Sequence, residues 1–411
     1  MNEPTSRRLG WALTLVATFT MSISYVDRQA FAILSPTITR ELDIKDDVLG
    51  WLLSAFSFAY LVAAPLGGRF IDAMGARRGL LAAVLTWSCV AALHAVVPSV
   101  GMLFALRIAL GLAESPSFPG SAQTVHRALS PIDRPRGLGV LFTGSSIGAM
   151  LVAPLASRLS AGYGWRKATL IVALVGLVWV PVWVGLAWRR DARAVLDRAH
   201  DDAHEPSPGF AALVRHPDVI RGLCLVVACA PGIAFLLNWS AKFLDKHHHV
   251  PQSEIGNYLW LPPLLFDVGA VLFGDLASRA RARLGPGRPT RGLVIASCAL
   301  ASVLAIVPFA PTPMSATVLG GISMAGGGAM YALLTADMLS RVPSSAVATA
   351  GGISAATQSI CHVVFLPLVG FVSKALGDYT LSMVALGLWV IPGTLLWLKL
   401  SPDRLTSDPA A

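Results

Sequence analysis

Gly67-Gly68-Arg69-Phe70-Ile71-Asp72-Ala73-Met74-Gly75-Ala76-Arg77-Arg78 separates two apolar runs, residues 50–66 and 79–97. Each run is close to the roughly 20 residues that a helix needs to cross a ~30 Å hydrocarbon layer. Two such runs joined by a short basic loop read as membrane helices turning at one face of a bilayer. Working outward, further runs occupy 11–33, 101–123, 137–157 and 168–188. After a polar break come 219–243, 256–277, 292–310, 314–336, 347–370 and 380–398. The expectation is an all-α membrane protein with twelve transmembrane helices. Arg7 and Arg8 precede a first run that continues directly into ionisable residues, so this run reads as a retained helix and not a cleaved signal.

Composition agrees. Of 411 residues 55% are hydrophobic and only 13% charged, about half the usual charged share of a soluble domain. The mean hydropathy is +0.64. The net charge of +9 is topological and does not call for nucleic acid. With both termini in the cytoplasm, inside loops and helix ends carry 22 of the 32 Lys and Arg residues, outside loops 8, and the membrane interior 2. That asymmetry is the positive-inside pattern of an inner (plasma) membrane protein. Cys89, Cys224, Cys229, Cys298 and Cys361 all fall within the apolar runs, without metal-ligand spacing, and read as small packing residues.

The polar break at 189–218 is rich in Arg and Asp and ends in His204-Glu205-Pro206-Ser207-Pro208-Gly209. It reads as a cytoplasmic linker, with an interfacial helix near 209–215, between an N-terminal six-helix bundle (1–188) and a C-terminal one (219–411). Two six-helix halves suit a rocking transporter with a central site. Gly274-Asp275-Leu276-Ala277-Ser278-Arg279-Ala280-Arg281 follows the eighth run in the place that the quoted loop occupies after the second. The first loop resembles the Gly-x-x-x-Asp-x-x-Gly-x-Arg-Arg signature of the major facilitator superfamily, which implies the major facilitator fold. In it Gly68 would let two helices approach closely, Asp72 can meet a helix N-terminus or an arginine, and Gly75 makes a tight turn. With Arg77 and Arg78 these residues form a candidate conformational latch. The plainer alternative is a basic loop obeying orientation rules.

An ionisable group inside an apolar span costs ~2.5–3.5 kcal/mol even on the lenient insertion scale. The first half holds four: Asp27 and Arg28 in the first span, Arg107 and Glu114 in the fourth. Arg107 and Glu114, two turns apart on one helix face, are expected to line one cavity without pairing. Asp27 and Arg28 point about 100° apart and can serve different partners. A buried arginine stays charged and can hold a carboxylate, whereas a buried carboxylate can carry a proton. Together they suit a proton-coupled anion carrier. Buried salt bridges that only fix helix packing are the alternative.

Tyr25-Val26-Asp27-Arg28, with Arg107-Ile108-Ala109-Leu110-Gly111-Leu112-Ala113-Glu114-Ser115-Pro116-Ser117-Phe118-Pro119-Gly120, resembles the anion:cation symporter family. Asn238-Trp239-Ser240-Ala241-Lys242-Phe243-Leu244 and Leu261-Pro262-Pro263-Leu264-Leu265-Phe266-Asp267-Val268-Gly269 resemble the same family's seventh and eighth helices. That family includes bacterial hexuronate, glucarate and galactonate carriers and vesicular glutamate and sialic acid carriers. The resemblance implies proton-carrying roles for Asp27 and Glu114, a substrate-carboxylate clamp at Arg28 beside Tyr25, and a pocket hydroxyl at Tyr60. It implies that Arg107 tunes the proton-carrying group. Where sugar-acid carriers can place a glutamine on the fifth helix, this chain has Thr143-Gly144-Ser145-Ser146, so Ser145 is the candidate there. It leaves a polyhydroxylated substrate less secured than an anionic one.

The second half supplies Asn238, Tyr331, Ser354, Gln358 and His362 as candidates, Gln358 and His362 being four apart on one helix face. Interhelical hydrogen bonding explains them equally well. Asp267 suits packing or gating as well as substrate contact, and Asp337 a structural role. His247-His248-His249 reads as a solvated loop, since three adjacent imidazoles do not converge on one ion. Gly326-Gly327-Gly328 lies within a span and lacks the Lys-Ser/Thr of a phosphate loop. With no cofactor and no ATPase motif, an ion gradient, H+, is the expected energy source. The expectation is a proton-coupled importer of a small organic anion, working as a monomer by the superfamily's default. An exporter or exchanger of organic anions or drugs is the rival, although Gly144, Gly148 and a displaced Pro154 form no antiporter-type run. A non-transporting sensor lacks an output domain, and no enzyme constellation is present.

Overall fold

Lipid offers no hydrogen-bond partners, so backbone crossing it has to satisfy itself, and an α-helix does so within one segment. The computed structural model describes residues 7–130, 132–197, 210–284, 291–342 and 346–400. Among them regular structure is helical throughout: α1 (Arg7–Glu41), α2 (Asp46–Leu93), α3 (Val100–Glu114), α4 (Ser117–Ala128), α5 (Arg134–Gly176), α6 (Trp179–Ala187), α7 (Arg190–Leu196), α8 (Phe210–Val214), α9 (Pro217–Asn238), α10 (Ser240–His248), α11 (Gln252–Leu259), α12 (Leu261–Leu284), α13 (Arg291–Ser302), α14 (Pro313–Leu339), α15 (Val347–Leu376) and α16 (Thr380–Lys399). The His204–Gly209 stretch of the expected linker lies outside the described residues.

Ten helices among the described residues are long and apolar enough to cross a membrane. Two of these, Asp46–Val96 and Arg136–Ala187, run to 51 and 52 residues, enough for two crossings each. Each contains one residue outside helical geometry, Gly75 (φ 75°, ψ 151°) and Gly164 (φ 79°, ψ 159°). A side chain would be strained there, so glycine sets the position of the turn. The twelve spans expected from the sequence are consistent with this. Large apolar side chains such as Phe309, Val271 and Leu151 are exposed, as lipid-facing residues should be.

The fourth apolar run, expected as one span, is two helices meeting at Ser115-Pro116. Pro116 has no N–H and cannot bond the Leu112 carbonyl. The Ser115 hydroxyl takes that carbonyl instead, donating at 2.8 Å. Glu114 is thereby the last residue of α3.

The chain divides into two compact units. Unit 1 comprises Met1–Asp201 with Leu244–Trp260, and unit 2 comprises Asp202–Phe243 with Leu261–Ala411. In unit 1, α1 packs along α5 so closely that a β-carbon on Gly148 would run into the Ser22 carbonyl. A tryptophan layer, with Trp179 stacked on Trp183 at 5.1 Å, fills the space beside α2. In unit 2, the three consecutive glycines of α14 each face a different neighbour, because successive residues turn by 100°. Gly326 meets the α13 backbone, Gly327 meets Ile233 of α9, and Gly328 meets the Phe266 carbonyl of α12. Gly326-Gly327-Gly328 is therefore a packing device. The short α8 buries Leu213 against Val219 and Met338.

Candidate functional site

Four helical stripes meet inside unit 1. They are Asp27, Phe31 and Ile38 of α1; Trp87, Ala91 and His94 on and just after α2; Leu103, Arg107, Leu110 and Glu114 of α3; and Trp165, Thr169, Val172 and Gly176 of α5. Each follows the three-or-four spacing of one helix face. The four intramembrane charges sit where these faces converge.

Glu114 is fully buried, and its Oε2 accepts from Arg28 Nη2 at 3.0 Å and from Ser24 Oγ at 2.8 Å. The guanidinium of Arg28 also lies against three rings, Tyr25 at 4.7 Å, Phe56 at 4.7 Å and Tyr60 at 5.0 Å. Such a box holds a cation while excluding water. Arg107 is buried against Phe31 at 4.6 Å and against Phe56, a wall of the same box, at 4.9 Å. Its Nε donates to the Leu52 carbonyl at 3.4 Å.

Arg107 and Glu114 share a face of α3 without a direct bond; Arg107 lines a cavity with Asp27, while Glu114 faces Ser24 and Arg28. The separation of Asp27 and Arg28 onto different partners is as expected. Ser24 and Phe56 belong to the site and were not singled out in the sequence. Ser24 could have been found one turn before Arg28; Phe56 carries no signal apart from its ring.

Ser145 is half-buried and its hydroxyl donates to the Phe142 carbonyl of its own helix. In unit 2, Tyr331 Oη donates to Gln358 Oε1 at 3.0 Å, joining α14 to α15. Asn238 donates to the Ala234 carbonyl one turn back, and Ser354 is buried. His362 and Asp267 are half-buried. Asp337 pairs with Arg221 at 2.7 Å and Arg341 at 3.0 Å, with Arg221 stacked on Trp397, which makes it a structural carboxylate.

In the quoted loop the close helix approach belongs to Gly67, not Gly68. A β-carbon on Gly67 would sit 2.7 Å from the Ser115 backbone, whereas one on Gly68 meets nothing within 4 Å. Gly75 makes the turn. Asp72 accepts from Gln123 at 3.2 Å, and the same amide accepts from the Ala76 N–H at 3.1 Å. Arg77 grips Asp197, just beyond α7, with two nitrogens at 3.0 and 2.6 Å, and stacks on Trp188. Arg78 is exposed.

The profile of the Major Facilitator Superfamily matches residues 17–364. The chain is similar to the hexuronate transporter of Escherichia coli K12, 25% identical over 95% of this chain and 94% of that protein. It is 24% identical to the D-galactonate transporter of Escherichia coli O6:H1, over 95% of each. A probable sulfoacetate transporter of Cupriavidus necator is 24% identical over 94% of this chain and 93% of its own. Among solved structures, a bacterial homolog of the human lysosomal transporter Spinster, inward-facing and unoccupied, superposes over 100% of both chains with a TM-score of 0.80 and 17% identity.

Proposed function

From the premise that the chain belongs to the Major Facilitator Superfamily, we propose that it imports a small organic carboxylate together with protons by alternating access. It is a multi-pass membrane transporter and not an enzyme. The relatives' names, hexuronate, galactonate and sulfoacetate, are those of small anions, which supports the substrate class. The proposed setting is the inner membrane with both termini cytoplasmic, and the proposed working form is a monomer.

The observation that carries the reading is the Arg28–Glu114 pair at 3.0 Å inside its aromatic box. Arg28 already has a counter-ion there. A substrate carboxylate arriving at Arg28 beside ionised Glu114 would leave excess negative charge in apolar surroundings, which is costly. Protonation of Glu114 removes that obstacle and frees the guanidinium for the substrate. One carboxylate thus replaces another at one arginine, and proton uptake is tied to substrate binding. Asp27 holds a second proton on the far side of the site. Deprotonation toward the cytoplasm returns Glu114 to Arg28 and expels the substrate. Ser24 and the rings of Tyr25, Phe56 and Tyr60 keep the guanidinium in place throughout.

The test is uptake into proteoliposomes under an inward proton gradient, with labelled hexuronates, aldonates, lactate, dicarboxylates, aromatic acids and glutamate. Accumulation of one class, lost in Glu114→Gln while label exchange remains measurable, is the expected result. Exchange without gradient-driven accumulation in the wild type would leave an anion site and remove proton coupling.

A further inference from the structure

Glu114 is reached from the side of Arg28, but Asp27 faces elsewhere. Its neighbourhood is a cavity of about 20 Å³, enough room for about one water. It is lined by Asp27, His94 and Arg107, by apolar side chains, and by Thr169 and Trp165, which already donate to the Trp165 carbonyl and to Glu41 respectively. Asp27, His94 and Arg107 are only 6, 5 and 2% exposed. Each has a buried polar atom without a hydrogen-bond partner: Asp27 Oδ2, His94 Nε2 and Arg107 Nη1. An unsatisfied buried polar group is costly, so three around one cavity call for a shared partner.

Their chemistry specifies that partner. His94 Nδ1 lies 2.9 Å from the Val90 carbonyl, which can only accept, so the ring proton is on Nδ1. Nε2 is therefore an acceptor. Arg107 Nη1 is a donor. Ionised Asp27 Oδ2 is an acceptor, and its second lone pair can take the Trp87 indole N–H beside it. One donor and two acceptors match a water, which accepts once and donates twice. When Asp27 is protonated its hydroxyl donates to the same water, which still donates to His94 and accepts from Arg107. A single water within reach of all three would satisfy the site in both protonation states.

We propose that an ordered water held by His94 and Arg107 delivers the proton to Asp27, and that His94 is the residue that positions it. The inference rests on the proton-coupled reading above. The lining runs from Asp27 to Ile38 on α1 and includes Leu103 and Trp165. It therefore climbs about 16 Å along α1, toward the end of the unit that carries Glu41 and the α2–α3 turn. Glu114 and Ser24 lie the other way. In the transfer, the Asp27 Oδ2–H bond forms as the water gives up one proton. The water regains one from solvent entering at that end, so only a proton moves. The charged groups facing His94 are Asp27 of α1 and Arg107 of α3; α5 contributes Trp165, Thr169 and Val172. At Gly176, α5 also leaves space beside Asp27, where a β-carbon would lie 3.7 Å from Oδ2.

The test compares the wild-type full chain, His94→Leu and His94→Gln by two readouts. A structure in lipid nanodiscs at a resolution that shows water should place one between the three atoms in the wild type and none in His94→Leu. In proteoliposomes with labelled D-glucuronate and D-galactonate, His94→Leu should lower gradient-driven uptake about tenfold relative to exchange, the scale of one lost hydrogen bond. His94→Gln, whose amide oxygen can accept from the water, should restore most of it. Ala30→Val, which fills the cavity and leaves all three polar groups, should reproduce the selective loss if His94→Leu does not fold. Absence of the water from the wild type, or uptake and exchange falling together without rescue by glutamine, overturns the proposal. If the wild type accumulates neither probe under a proton gradient, the coupled reading fails, and the water then stands or falls on the density alone.

Discussion

The two units are built by the same packing rules and hold different chemistry at their centres. In unit 1 a helix crossing is set by Gly148 on the Ser22 carbonyl, and in unit 2 by Gly328 on the Phe266 carbonyl. Yet unit 1 buries Asp27, Arg107 and Glu114 there, with Arg28 nearly so, and leaves polar atoms of each without a protein partner. The corresponding feature of unit 2 is a neutral bond, Tyr331 to Gln358. Its buried ion pair, Arg221 with Asp337, lies in the first turns of α9 and the last turn of α14, where it ties helix ends together. The difference implies a division of labour on a common scaffold. The fully buried charges at the centre are concentrated in unit 1, whereas unit 2 has the neutral Tyr331–Gln358 bond, with His362 and Asp267 half-buried.

The largest expected effect tests the charged side. Arg28→Ala leaves Glu114 buried without its counter-ion, a change that costs ~3–5 kcal/mol for a buried pair. Both uptake and exchange should fall by about a hundredfold or more, since that energy corresponds to two or more decades. Uptake surviving in Arg28→Ala would mean that unit 1's charges fix packing only. A smaller effect probes the neutral side. Tyr331→Phe removes one hydrogen bond worth ~0.5–1.5 kcal/mol. The half-saturating substrate concentration should rise several-fold, with the ratio of uptake to exchange unchanged. A change in that ratio would break the division of labour, because a neutral residue of unit 2 would then affect coupling.

The smallest effect concerns a charge at the edge of unit 1. Asp197 is held below its ordinary value chiefly by the hydrogen bonds from Arg77. With the folded-state value depressed, the clasp is fully present above the ordinary aspartate value of ~3.9 and is lost as pH falls through the lower folded value. Melting of Asp197→Asn should be only slightly below wild type at neutral pH, because the Asp197 side chain is 41% exposed and such pairs give about 1 kcal/mol at most. The difference should stay constant from about pH 8 to about pH 5 and close only in strong acid. A difference that varied within the neutral range would require another titrating partner.

The legible features were those set by local chemistry. Hydropathy located the spans, because a helix must be apolar over the membrane thickness whatever it packs against. Gly75 marked its turn, because only glycine takes that backbone angle readily. The four charges were conspicuous because their cost in lipid is high. Pairing was less legible. The close approach expected at Gly68 falls one position away, at the Gly67–Ser115 contact, and a helix face turns by 100° over that one residue. His94 had no sequence signal. A histidine near a helix end is unremarkable until Asp27 and Arg107 are seen to share its cavity.

The sequence by itself determined that this chain is a helical membrane transporter, the position of most of its spans, and the residues whose charge needs a reason. Only the tertiary structure decided which charge answers which. Arg28 took Glu114 and not Asp27, and Arg107 came to line a cavity with Asp27, because α1 presents Asp27 and Arg28 about 100° apart to different neighbouring helices. Hydropathy acts residue by residue and survives in a linear string. The pairing of buried groups depends on distances of about 3 Å between separate helices, which only their packing sets.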